Sequence, residues 1–212
     1  MTKKSLVIVL PLLILSIFIY YSPIIDQCLA DFTYNNVTHK FYGEEHLWCK
    51  IVYYSIPVIT TLLIIFYLFK LIKCGVNTIR KQAVIVLLSL LLGPGLIVNT
   101  VFKDHWGRPR PYQVMRDGKV FSPVYEPHLG NSSSNSFPCG HGSIGFFVGV
   151  PLLANGRRKA GTIVSLGFGS LVGLVRMLQG GHYLSDVVFC AIFVILSFEL
   201  VNYSINKFIK SS

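Results

Sequence analysis

The sequence predicts an all-α membrane protein, a polytopic bundle of six transmembrane helices with the N- and C-termini in the cytoplasm. Of the 212 residues, 52% are hydrophobic and only 13% are charged, and the mean hydropathy is +0.59. Long apolar stretches without charges are the second sign of a membrane protein. The net charge of +10 could also suggest a nucleic-acid-binding domain, but a soluble basic domain would not carry such stretches. We therefore expect no nucleic-acid partner.

Five apolar stretches are long enough to cross a bilayer, which takes roughly 20 residues of helix. They lie at about 5–23, 51–72, 83–102, 160–178 and 183–205. A sixth, at about 143–155, is short, and we count it because His141–Ser143 can begin a helix below the membrane surface. The first stretch resembles a signal peptide. It is long and lacks a small-residue cleavage site, so we interpret it as an uncleaved anchor.

The distribution of charge predicts the orientation of these helices. With the N-terminus in the cytoplasm, the basic residues of the cytoplasmic segments are Lys3, Lys4, Lys70, Lys73, Arg80, Lys81, Arg157, Arg158, Lys159, Lys207 and Lys210. No acidic residue lies among them, which agrees with the positive-inside rule. Three predicted outer loops remain, at about 24–50, 103–142 and 179–182.

Five cysteines are scattered along the chain, at Cys28, Cys49, Cys74, Cys139 and Cys190. None has the spacing of a zinc site, so we expect no metal. Cys28 and Cys49 share the first predicted outer loop, and we predict a disulfide between them, with two unpaired thiols as the alternative.

The second outer loop contains groups that suit phosphate chemistry. Cleavage of a phosphate monoester without a metal needs cations and N–H groups around the oxygens, a nucleophile in line, and an acid for the leaving oxygen. Lys103 and Arg110 flank a segment stiffened by two prolines, and the planar guanidinium fits phosphate oxygens. The segment Phe137–Ser143 comes before a helix start, where N–H groups favour an anion. His141 would face that phosphate as a general acid.

The start of the last helix holds a predicted nucleophile. His182 and Asp186 are four residues apart, so that one helix face carries both, and the carboxylate can bond one ring nitrogen while the other attacks. Arg176 would end the fifth helix and reach the same phosphate across a turn that contains Gly180 and Gly181. A lone arginine is more often a headgroup contact and a lone histidine a surface or packing residue. The joint arrangement on one side of the membrane favours the catalytic interpretation.

Three segments resemble the motifs of the type 2 phosphatidic acid phosphatase (PAP2) superfamily, which are K-x6-RP, PSGH and SR-x5-H-x3-D. Lys103–Pro111 matches the first motif. Pro138–His141 matches the second, with Cys139 in place of serine, and Arg176–Asp186 matches the third, with Val175 in place of the leading serine. A thiol is a poor hydrogen-bond donor, so at Cys139 either backbone N–H groups suffice or activity is reduced.

The resemblance implies a single membrane phosphatase domain over residues 1–212 and a role for each matched residue. His182 would become phosphorylated, Asp186 would support it, and His141 would be the acid. The implied phosphate-binding residues are Lys103, Arg110, Arg176, Cys139 and Gly140. The resemblance implies neither a metal nor a cofactor.

Within the superfamily, the segments Leu92–Asn99, Val101–Pro109 and Arg176–His182 look most like bacterial lipid A phosphatases, the 4'-phosphatase in particular. The implied partner is a phosphorylated lipid, dephosphorylated at the periplasmic face of a bacterial inner membrane; the oligomeric state stays open. We expect interfacial cations, Arg108, Arg116 and Lys119, to attract an anionic lipid surface. Alternatives are a phosphatase of phosphatidylglycerophosphate, phosphatidate or an undecaprenyl carrier, or a protein that binds lipid phosphate without turnover.

Overall fold

The computed structural model of the protein describes residues 3–73, 77–130 and 133–211. Cys74 lies outside these ranges. The helices are α1 (Lys3–Thr33), α2 (Tyr42–Glu45), α3 (Leu47–Lys73), α4 (Asn77–Leu90), α5 (Pro111–Met115), α6 (Gly140–Phe147), α7 (Val150–Ala154), α8 (Arg158–Leu178) and α9 (Leu184–Ser211). The strands are β1 (Tyr34–Asn35) and β2 (Lys40–Phe41). α4 continues without a break into a wider, π-helical segment, Leu91–Lys103.

Five of these helical stretches are long and apolar enough to cross a membrane. They are Leu10–Thr33, Leu47–Lys73, Asn77–Lys103, Arg158–Leu178 and Leu184–Phe208. The predicted class, an all-α membrane bundle, is confirmed. The sixth predicted span corresponds to Gly140–Ala154, which is apolar but shorter than the other five.

The first two spanning helices are longer, at the ends that face each other along the chain, than the sequence predicts. α1 continues to Thr33, beyond its predicted end near residue 23, and α3 begins at Leu47. The predicted apolar stretch stops short of Asp26, whose carboxylate is buried in the helix and paired with Arg108. The segment between α1 and α3 is therefore only 34–46.

The predicted disulfide between Cys28 and Cys49 is not formed, and both thiols are free. The prediction placed both cysteines in one loop. The structure places them in two different helices, with Cys28 exposed on α1 and Cys49 buried in α3. The alternative of two unpaired thiols is the one that the structure supports.

A small hairpin in the segment 34–46 contacts the turn between α8 and α9. Its strands pair in antiparallel register, Tyr34 with Phe41 and Asn35 with Lys40. The Phe41 side chain is 1% exposed, and it packs on Gly180, where an added Cβ would lie 2.4 Å from Phe41 Cδ2. Because Gly180 also has a φ of +63°, glycine suits both the turn and the contact.

α6 lies at the centre of the bundle, packed against α8, α9 and the π-helical segment. Gly145 and Gly169 let α6 and α8 approach closely: a Cβ at Gly145 would lie 3.1 Å from Gly169 Cα. Small residues often have this role in membrane bundles. Phe147 and Val172 are fully buried in this core. The core holds the first residues of α6 and α9 in fixed relative positions.

Candidate active site

The structure brings the predicted site residues to one end of the bundle. Lys103 ends the π-helical segment, His141 lies in the first turn of α6, Arg176 in the last turn of α8. His182 precedes α9, and Asp186 lies in its first turn. The backbone N–H of Cys139 donates to the backbone oxygen of Asp186 at 3.3 Å, which joins the start of α6 to the start of α9.

Three cations form one cluster in this site. Lys103 experiences electrostatic repulsion from Arg110 and Arg176. Its Nζ lies against Gly140, where an added Cβ would be only 2.9 Å away. Within the ranges 3–73, 77–130 and 133–211, no salt bridge joins any of the three to a carboxylate. Like charges that gather without acidic partners favour an anion between them.

Three nitrogens of the site are buried without a hydrogen-bond partner among the described residues. They are Nε of Arg110, Nε of Arg176 and Nε2 of His182. A buried polar group that lacks a partner costs about 1–3 kcal/mol, so each such atom needs an explanation. Among the described residues, the fourth buried side-chain atom without a hydrogen-bond partner is Ser89 Oγ in α4. A tetrahedral anion with several acceptor oxygens would complement the two guanidinium nitrogens.

The backbone of Ser136 orients the His182 ring. Nδ1 lies 2.6 Å from the carbonyl oxygen of Ser136, which can only accept, so Nδ1–H is the donor. The lone pair of the neutral ring is then on Nε2, the nitrogen without a partner. Asp186 Oδ2 lies 3.7 Å from Nδ1, which is within ion-pair distance of a protonated ring but longer than the hydrogen bond that we predicted.

Asp186 is instead bound by three other groups. Its Oδ2 accepts hydrogen bonds from Ser136 Oγ at 2.6 Å and from the backbone N–H of Tyr183 at 2.9 Å. Its Oδ1 accepts one from Arg108 Nη1 at 2.5 Å. Asp186 therefore holds in place the serine whose carbonyl orients the His182 ring.

Arg108 is not the interfacial cation that we predicted. Its side chain is 0% exposed and pairs with Asp186 and with Asp26 of α1. Burial opposes its charge, yet these two carboxylates raise the pKa of Arg108 above its ordinary value. Burial also raises the pKa of the neighbouring Tyr183 well above its usual range. The sequence contained one signal of this pair, a carboxylate within an apolar stretch, which is costly unless it is paired.

Tyr53 of α3 contacts two of the predicted site residues and belongs to no motif. Its ring stacks on His141 with centroids 4.4 Å apart and planes 16° apart. The guanidinium carbon of Arg176 lies 4.7 Å from the Tyr53 centroid, within cation–π distance. Tyr53 lies near the start of the second predicted span, where many aromatic residues are interfacial anchors, and this is why the sequence did not reveal the contact.

Cys139 caps the helix that carries His141. Its Sγ accepts a hydrogen bond from the backbone N–H of Gly142 at 3.3 Å, and its side chain is fully buried. This is the N-cap role, which serine performs more strongly than cysteine. Among the described residues, no cluster of three or more His, Cys, Asp or Glu side chains could hold a metal ion.

Comparison with known proteins places this site in a family. Residues 82–210 match the PAP2 superfamily. The chain is 37% identical over 191 residues to the lipid A 4'-phosphatase of Francisella tularensis subsp. novicida, which covers 85% of this chain and 86% of that protein. It is 33% identical over 150 residues to the lipid A 4'-phosphatase of Rhizobium leguminosarum, which covers 66% of this chain and 63% of that protein.

A further relative, the lipid A 4'-phosphatase of Rhizobium etli, is 36% identical over 103 residues, 47% of this chain and 40% of that protein. No solved structure matches the chain. The predicted enzyme class, a lipid phosphatase, is confirmed by the family match and these relatives. The chain belongs to the PAP2 superfamily.

Proposed function

We propose that the chain removes the 4'-phosphate of lipid A, without a metal, at the periplasmic face of a bacterial inner membrane and through a phosphohistidine at His182. The observation that carries this proposal is the set of three buried nitrogens without partners, Nε2 of His182 and Nε of Arg110 and of Arg176. A phosphate between them would accept from both guanidinium groups and present its phosphorus to the imidazole. The relatives named lipid A 4'-phosphatase support the choice of substrate.

The reaction proceeds in two transfers of one phosphoryl group. Nε2 of His182 attacks the phosphorus, the bond from phosphorus to the sugar oxygen breaks, and His141 gives that oxygen a proton. In the free protein, burial and the neighbouring Arg176 lower the pKa of His141 to about 4, so the ring takes up this proton when the phosphate dianion binds beside it. Water then attacks the phosphorus, the bond from phosphorus to nitrogen breaks, and His141 takes a proton from the water. Lys103, Arg110 and Arg176 stabilise the charge on the phosphoryl oxygens in both steps.

The distribution of charge supports a periplasmic site. α8 runs from Arg158 to Leu178, so that Arg157, Arg158 and Lys159 lie at the end of the helix opposite to Arg176. Short basic segments stay in the cytoplasm. The site, at the other end of α8, then faces the periplasm.

An apolar groove beside the site supports a lipid substrate. It has a volume of about 350 Å³, and its lining includes Ile64 of α3, Leu87 of α4 and Asn99 of the π-helical segment. Asn99 Oδ1 would lie 2.5 Å from a Cβ at Gly140, so the groove ends beside the phosphate-binding residues. A hydrocarbon chain in the groove would place its headgroup next to the cations.

Purified protein in detergent micelles tests the proposal. We expect wild-type protein to release phosphate from lipid A and to lower its mass by about 80 Da, as loss of one phosphate by hydrolysis requires. His182→Ala should release none, whereas His128→Ala, which changes an exposed histidine, should keep wild-type activity. Selective turnover of phosphatidylglycerophosphate, phosphatidate or an undecaprenyl phosphate instead of lipid A would overturn the substrate. Turnover by His182→Ala would contradict the assignment of His182 as the nucleophile.

A chelator tests the metal-free mechanism. We expect the rate of phosphate release to be unchanged after dialysis against EDTA, because the proposed clamp uses three side-chain cations. Full inhibition by EDTA that Mg²⁺ reverses would contradict the mechanism.

A further inference from the structure

We propose that Asp26 and Arg108 are positioning residues for the dephosphorylation, because they fix the carboxylate of Asp186 and, through Ser136, the ring of His182. The proposal rests on the proposed function of His182 as nucleophile. It assigns a role in turnover to α1, a helix that lies outside the residues that match the superfamily.

Arg108 is the centre of a buried network that joins three parts of the chain. Nε donates to the carbonyl oxygen of Ser122 at 2.9 Å. Nη1 donates to Asp186 Oδ1 at 2.5 Å and to Ser185 Oγ at 2.8 Å. Nη2 donates to Asp26 Oδ2 at 2.9 Å. With four bonds from three nitrogens, the guanidinium has one orientation, which also fixes the carboxylate that it binds.

Asp26 fixes the first turn of α9 from a different helix. Its Oδ1 accepts from the backbone N–H of Ser185 at 3.0 Å, and its Oδ2 accepts from Ser185 Oγ at 2.5 Å. The N–H groups of a first helical turn have no partner within the helix. A carboxylate at this position satisfies one of them and interacts favourably with the helix dipole. Ser185 is next to Asp186, so the bonds of Asp26 hold the backbone that carries the catalytic pair.

The network continues from Asp186 to the nucleophile in two bonds. Ser136 Oγ donates to Asp186 Oδ2 at 2.6 Å, and the Ser136 carbonyl accepts Nδ1–H of His182 at 2.6 Å. A shift of the carboxylate would therefore move the serine and turn the imidazole. Nε2 must meet a phosphorus atom in line, and a misplacement of about 1 Å can reduce a rate by about 100-fold.

The charges of the network also favour the reaction at His182. Arg108 carries one positive charge between the carboxylates of Asp26 and Asp186, and all three side chains are fully buried. When both acids are ionised, the network has a net charge of −1. The ring of His182 becomes positive when its nitrogen bonds to phosphorus while Nδ1 keeps its proton, and a buried negative charge nearby stabilises that state. Asp26 thus stabilises the positive charge on the His182 ring as well as fixing the position of that ring.

A purely structural role would also explain a buried ion pair, so the test must separate folding from turnover. Asp26→Asn keeps the size of the side chain and removes its charge, and Asp31→Asn is the matched control because Asp31 is an exposed acid on the same helix. We measure kcat and KM per folded enzyme on the phosphorylated lipid that wild-type protein hydrolyses, inhibition by inorganic phosphate, and the pH dependence of kcat/KM.

For Asp26→Asn we expect kcat to fall by 10- to 100-fold, while KM and inhibition by inorganic phosphate change by less than about twofold, because the cationic clamp is intact. The acidic limb of the pH profile should move to lower pH, because loss of a nearby negative charge makes a positive imidazole less stable. Asp31→Asn should match the wild-type protein in every measurement. Wild-type kcat and pH profile in Asp26→Asn, with only a lower melting temperature, would overturn the proposal.

Ser185→Ala provides the second variant in case Asp26→Asn does not fold. It removes the hydroxyl bonded to Asp26 and Arg108 and keeps every charge, so we expect a smaller loss of kcat, about threefold to tenfold, and no shift of the pH profile. The ¹⁵N shifts of the His182 ring give a readout that does not depend on the substrate. We expect the proton to leave Nδ1 for part of the population in Asp26→Asn, and a wild-type ring spectrum would overturn the proposal. Failure of the proposed function appears separately, as turnover by His182→Ala.

Discussion

The two halves of the chain contribute to the site in different ways. From residue 82 onward, the chain supplies every side chain that we expect to contact phosphate, and these residues match the superfamily. The helices α1 and α3 supply Asp26, which binds Arg108, and Tyr53, which stacks on His141. The residues expected to contact phosphate thus lie in recognisable sequence motifs. The residues that hold them in position come from distant helices and belong to no motif.

The largest effect should come from the half of the chain that matches the superfamily. We expect Asp186→Asn to lower kcat by about 10³- to 10⁴-fold, as loss of the acid behind a catalytic histidine does elsewhere. The amide would lose the ion pair with Arg108 and would compete with Ser136 for hydrogen bonds. Single-turnover kinetics measure the loss, with Asp117→Asn, an exposed acid, as the control. A loss below tenfold would make Asp186 only structural.

The cationic clamp should show a smaller effect. Arg176→Lys and Arg110→Lys each keep the charge but remove the planar group whose Nε has no partner. We expect kcat/KM to fall by about 100-fold for each, since loss of one donor to a transition state costs this much in other enzymes. Arg158→Lys, which changes an exposed arginine paired with Glu199, should have no effect. Equal rates for all three variants would contradict the clamp.

Tyr53 tests the contribution of the other half directly. Tyr53→Leu removes the ring that stacks on His141 and lies under Arg176, and we expect kcat/KM to fall by about tenfold, because aromatic and cation–π contacts each contribute about 1 kcal/mol. Tyr54→Leu is the matched control, since that side chain is 67% exposed. If both variants hydrolyse the lipid at the same rate, Tyr53 does not position the acid.

The smallest effect should be that of Cys139→Ser. The hydroxyl would accept the Gly142 N–H that the thiol accepts now, and serine is a better N-cap, so we expect a gain in stability of up to about 1 kcal/mol. Activity should be unchanged or higher. Thermal unfolding and initial rates of both proteins measure the two effects, and an inactive serine variant would show that the thiol has a positive role.

The sequence predicts the class of the fold and the residues of the clamp because both have local signals. Apolar length predicts the spans, and motif spacing predicts Lys103, His141 and His182. The end of α1 could not be predicted, because Asp26 is tolerated in the helix only through Arg108 and Ser185, which are distant in the chain. The partner of His182 was missed for a related reason: a backbone carbonyl, that of Ser136, has no sequence signature.

The central claim is that Nε2 of His182 attacks phosphorus, and trapping of the intermediate tests it most directly. Protein mixed with excess lipid A would be quenched in base, where phosphohistidine survives, digested and sequenced by mass spectrometry. The account predicts that His182 is the one phosphorylated residue and that its phosphate is lost with the rate constant of phosphate release. The His182→Ala protein should yield no phosphorylated peptide. Phosphate on any other residue, or turnover in the wild-type protein with no labelled peptide at any time, would contradict it.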